Sequence, residues 1–152
     1  MDRLKRGTLA LLAGSMMLLA VAGPALAQPG DVRLKIAVIH ATKTGGPKDP
    51  ALRKVQGALE KAFGGYTRFQ QLAKHDLELP KGVKKSLALP NGQTAEFVYQ
   101  GPAGANEHKV NLAVPEGRVD IDVRLPMNRV FYQAGFKHDG GILILALYLR
   151  PI

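Results

Sequence analysis

Eight consecutive apolar residues, Ile142-Leu143-Ile144-Leu145-Ala146-Leu147-Tyr148-Leu149, stand close to the C-terminal end of this 152-residue chain. In an extended strand successive side chains point to opposite faces, so this run has no polar face to offer water. Its length and the Gly140-Gly141 pair before it favour a strand over a buried helix. Left bare on one side, such a strand is an aggregation hazard. It is therefore expected at the centre of a sheet, with a helix or a second sheet over its other face.

The rest of the chain supplies the covering elements. Leu34, Ile36 and Val38 alternate with Arg33, Lys35 and Ala37, the period of a half-buried strand that ends near His40. The polar segment from Thr42 to Lys48 leads to Asp49-Pro50, a cap residue followed by the residue best suited to a first helical position. Leu52, Val55, Leu59, Ala62 and Phe63 then draw one apolar stripe, and Gly64-Gly65 closes it. One amphipathic helix is expected over Pro50–Phe63, packed by that stripe onto a sheet.

From Tyr66 onward the pattern is β. A strand is expected to run to Leu79 with a break near Lys74-His75. Ser86–Leu89 and Thr94–Gln100 flank Asn91-Gly92, a strong hairpin cue. His108–Val114 and Arg118–Leu125 form a second hairpin, with Val119, Ile121, Val123 and Leu125 inward and Asp120, Asp122 and Arg124 outward. Asn128–Phe136 and Ile142–Arg150 form a third. The fold expected is α+β, mainly β: an antiparallel β-sandwich or curled sheet of about 7–8 strands carrying one helix.

The N-terminus is of another kind. Arg3, Lys5 and Arg6 precede an apolar run of 14 residues, Leu9 to Ala22, and Ala25 and Ala27 provide small side chains after Pro24. A membrane span needs about 20 apolar residues, so residues 1–27 read as a cleavable Sec-type signal peptide. Residues 28–152 form a single domain expected in the periplasm or beyond it. Of 21 basic and 12 acidic residues, this part keeps 18 and 11, because the leader holds three cations and Asp2; its net charge is +7. Without a cysteine it has no disulfide to support it. Outside the cytoplasm, +7 points to a protein surface or an anionic envelope polymer as partner rather than to nucleic acid.

Reactive constellations are weak. None of His40, His75, His108 and His138 sits at a metal-ligand spacing. His75 shares no strand face with Asp76 or Glu78, and Ser86 lies in no nucleophile elbow. Asp120 and Asp122 project from one strand face between Arg118 and Arg124, as a solvated mixed-charge surface does. The expectation is a small non-catalytic binding domain of a cell envelope, needing no cofactor. The alternative is an exported metal protein or hydrolase built on His40, His75 or His138 with nearby carboxylates. Arg68, Lys84, Lys85, Tyr99, Arg129 and Tyr132 are the candidate binding surface, since aromatic and arginine side chains together favour interfaces.

Overall fold

The structure, a computed structural model, describes residues 31–152; the expected leader over residues 1–27 lies outside them. Two four-stranded antiparallel sheets pack face to face. Sheet A contains β1 (Val32–Thr42), β2 (Arg68–Leu79), β7 (Val130–His138) and β8 (Gly141–Pro151) in the order β2-β1-β8-β7. Sheet B contains β3 (Lys84–Ala88), β4 (Thr94–Pro102), β5 (Glu107–Val114) and β6 (Val119–Pro126) in sequence order. The three expected hairpins are β3–β4, β5–β6 and β7–β8. The chain crosses between sheets at β2–β3 and β6–β7. At the second crossing, Met127 bridges Leu149 and Asn128 N–H donates to the Leu149 carbonyl at 2.8 Å.

The apolar C-terminal run is a central strand. β8 lies between β1 and β7, with its two faces in two separate cores. Leu143, Leu145, Leu147 and Leu149 enter the space between the sheets beside Val32, Leu34, Ile36 and Val38 of β1 and Phe97, Tyr99, Val110 and Leu112 of sheet B. Ile144 faces the other way. It joins Ile39, Ala41, Phe69, Leu52 and Leu59 in a smaller core on the outer side of sheet A. Both faces are thus covered by different elements, as a two-sided apolar strand requires.

The expected helix is split and shorter. A 3-10 turn, Pro50–Leu52, precedes helix α1, Gln56–Ala62. Leu52 and Leu59 are fully buried, Val55 and Phe63 half-buried, and Ala62 is exposed. The apolar stripe places the segment on the sheet, but Val55 at the N-cap gives α1 no side-chain cap, and fewer than two turns of helix form. The expected break near Lys74-His75 is absent. β2 is continuous, and its irregularity is a bulge at Leu72, where Val38 pairs with Ala73 and Ile39 with Gln71. The bulge switches the facing of β2: Phe69 lies in the outer core, whereas Ala73 and Leu77, an even number of residues further on, pack against the interior core.

Gly141 opens β8 where the chain has no room for a side chain. A Cβ there would overlap the Ala41 carbonyl oxygen of β1. Gly141→Ala therefore forces the β7–β8 turn away from β1. Urea denaturation is expected to show a loss of about 1–3 kcal/mol, the usual cost of overpacking, and an unchanged midpoint would contradict the close approach.

Candidate functional site

The outer face of sheet A is only half covered. Cross-strand register places its side chains in rows. The row Gln71, Ile39, Ile144, Ala134 lies toward the helical segment. The next is Lys74, Ala37, Ala146, Tyr132, and the third is Asp76, Lys35, Tyr148, Val130. Beyond it Glu78, Arg33 and Arg150 align. The two central residues of the second row are alanines, and their small side chains leave a depression between taller neighbours.

That depression is an open groove of about 400 Å³, within the range of small-molecule sites, roughly 300–1,000 Å³. Ala37, Ala146 and Ile39 contribute to its floor, with Ala51, Leu52 and Val55 on the helical side. Lys35, Tyr148 and Val130 lie on the other side, with Lys74 at the β2 end and Tyr132 at the β7 end. It crosses four strands, so three inter-strand steps make it roughly 14 Å long. The Phe63 ring meets Tyr132 edge-on at 6.1 Å and fixes that end. Burial raises the Tyr132 hydroxyl pKa above its ordinary value of 10.0, so it remains a neutral hydrogen-bonding group near pH 7.

Charge along the groove is asymmetric. Arg33 holds Glu78 at 2.5 Å and Asp76 at 3.5 Å. Among the described residues, Lys35 and Lys74 form no ion pair, and the buried Arg150 Nε has no hydrogen-bond partner. Four cations therefore share this end of the face with two carboxylates that Arg33 already engages.

The six residues expected to form a binding surface are not brought together. Tyr132 borders the groove, and Arg129 is exposed in the turn before β7, next to the groove residue Val130. Arg68 stands at the other end of sheet A in a separate hollow with His40, Thr42 and Asp139. Lys84 and Lys85 belong to β3 at the edge of sheet B, where Lys84 pairs with Glu96 at 3.1 Å. Tyr99 is not on an outer face: it is 1% exposed, inside the sandwich. Its hydroxyl lies 2.6 Å from His108 Nδ1, and desolvation, followed by the Asp31 charge, raises its pKa.

Two histidines do meet. His40 Nε2 lies 3.0 Å from the His138 carbonyl oxygen, to which it donates, and the two rings are 4.9 Å apart between centroids. His75 lies elsewhere, opposite Ile36 on β2. The hollow beside His40 also contains the Arg68 cation, which opposes a bound metal ion. Among the described residues no group of three or more His, Asp or Glu side chains is placed to hold one. On the outer face of sheet B, Asn111 donates to Asp120 at 2.8 Å and to Asp122 at 3.0 Å. The Asn111 bond, supported by Lys109, lowers the Asp122 pKa.

The groove residues Ala37, Ala146, Lys35, Lys74 and Tyr148 were outside the expected surface. The available signal was the pair of alanines, one at an outward position of β1 and one interrupting the bulky C-terminal run. Their adjacency depends on the pairing of strands more than 100 residues apart. Compared with protein-family models, curated proteins and solved structures, the chain has no significant match.

Asp49 positions the helical side of the groove. One carboxylate oxygen accepts from Ala51 N–H at 2.9 Å and the other from Gln71 N–H of β2 at 2.8 Å. The Gln71 bond first, then the Ala51 bond, lowers the Asp49 pKa below its ordinary value of 3.8. A depressed carboxyl pKa stabilises the folded state above the unfolded value, and that contribution is lost as pH falls through the folded value. Asp49→Asn is therefore expected to lower stability at pH 7 and to flatten its pH dependence below pH 3.8. Acid titrations followed by circular dichroism check this, and parallel curves for the two proteins would contradict it.

Proposed function

We propose that the protein is an exported, non-catalytic binding domain of a cell envelope, and that it engages an anionic envelope component through the uncovered half of sheet A. One observation carries this reading: the apolar groove with aromatic residues at its margins and unpaired Lys35 and Lys74 on its rim. A monomer's exposed apolar depression bordered by polar groups is a common sign of an interaction site. The net charge of +7 after the proposed leader supports an anionic partner, and the leader itself supports the envelope as its location.

The groove and the basic edge of sheet B can be separated by experiment. Charge reversal at K35E/K74E is expected to reduce retention of the purified protein on a bacterial envelope fraction several-fold at low ionic strength. K84E/K85E, on the opposite sheet, is expected to retain like the wild type. Equal losses in the two variants would indicate general attraction to a basic protein, and no loss in either would place binding away from the groove; each result overturns the proposal.

A further inference from the structure

We infer that the groove accommodates a single-chain anionic amphiphile, such as a long-chain carboxylate, with its alkyl chain over Ala37 and Ala146 and its head group at Lys74 and Lys35. This assignment rests on the groove being a binding face and names the chemistry of what it binds.

The floor selects for an alkyl chain. It belongs to β1 and β8, central strands whose backbone N–H and C=O groups are committed to the ladders on either side. A peptide laid across them would bring its own backbone polar groups against alanine and isoleucine with few partners, which is costly. An alkyl chain carries no such groups. The groove also runs in the required direction, crossing the strands between Lys74 and Tyr132 along the two-alanine row.

The rim selects for an anionic head. Lys74 stands opposite Ala37, and Lys35 is two residues along β1 on the same face. That diagonal spacing is within reach of long side chains, so both ammonium groups can meet one carboxylate at the β2 end. Neither is paired among the described residues, and both side chains are exposed. Asp76, the nearest acid in the groove, lies 3.5 Å from Arg33 Nε, an ion pair without a hydrogen bond. At the other end, Phe63 and Tyr132 give the chain terminus an aromatic boundary.

Calorimetric titration with dodecanoate, dodecanol and dodecyltrimethylammonium, each below its micelle concentration, tests the assignment. Saturable 1:1 binding of dodecanoate is expected, with the alcohol and the cation weaker by about tenfold or more. K35E/K74E should lower dodecanoate affinity by about tenfold while leaving the weak dodecanol binding unchanged. Ala146→Phe should block both ligands, provided that its circular dichroism matches the wild type; the exposed lysine pair carries the test if that variant does not fold. Unsaturable dodecanoate, equal affinities in wild type and K35E/K74E, or binding only to phosphatidylglycerol vesicles would each overturn the assignment. If envelope retention responds to K35E/K74E while dodecanoate does not bind, the amphiphile fails and the binding face stands. If retention is also indifferent, both fall.

Discussion

Both faces of β8 must be kept from water, and the remaining architecture follows from how that is done. One face is easily satisfied, because sheet B brings a second apolar layer against it. The other has only Pro50–Leu52 and α1 to cover it. Ten helical residues cannot shield a four-stranded sheet. They cover the end that carries Ile39, Ala41 and Ile144 and leave Ala37 and Ala146, at the border of that core, only half-buried. The groove is the geometric remainder of that incomplete cover. Alanines at these half-covered positions reduce the apolar area left exposed there, and they also create the depression.

The anchoring of the short helical segment is correspondingly concentrated. α1 has only seven residues, too short to be stable by propensity alone. It is held by Leu52 and Leu59 in the outer core and by Asp49, whose carboxylate links the start of the segment to β2. Gln56 and Lys48 both contact Glu60, at 3.0 and 3.4 Å, adding a polar clasp on the solvent side. The exposed Lys48–Glu60 pair contributes little, whereas Gln56 is itself buried. The buried leucines and the two Asp49 hydrogen bonds therefore set the position of the groove wall.

Local pattern made most of the architecture legible. The unbroken apolar run from Ile142 announced a central strand, Asn91-Gly92 a hairpin, and Asp49-Pro50 the start of a helical segment. The alternation Val119, Ile121, Val123, Leu125 identified the inward face of β6. Errors arose where the determinant was non-local. The stripe through Phe63 suggested a longer helix, but the segment forms a 3-10 turn followed by the uncapped, seven-residue α1. The bulge at Leu72 depends on how β2 pairs with β1. Tyr99 was expected outside because an aromatic beside polar residues reads equally well either way; the hydroxyl partner that allows its burial, His108, lies across the β4–β5 hairpin. The groove was least legible of all. Its floor joins Ala37 to Ala146, and neither alanine signals anything until strand pairing places them together.

A filled interior and an open outer groove also determine what kind of binding this sandwich can support. The space between the sheets is packed with Phe97, Tyr99, Phe136 and the leucines of β8, so a ligand gains access to apolar surface only from outside. An alkyl chain on an open floor buries one side. Full burial contributes about 0.8 kcal/mol per methylene, and one-sided contact contributes a fraction of that. For the amphiphile proposed above, apolar contact alone thus gives weak and unselective attachment. Discrimination has to come from the head group, where Lys35 and Lys74 are unpaired, while Glu78 is hydrogen-bonded to Arg33 and Asp76 lies within ion-pair distance of it. Both lysines are exposed to solvent, so their attraction is screened by salt. Floor and rim therefore have separable signatures: chain length tunes affinity through the alanine floor at any ionic strength, whereas selectivity for the anion weakens as salt rises.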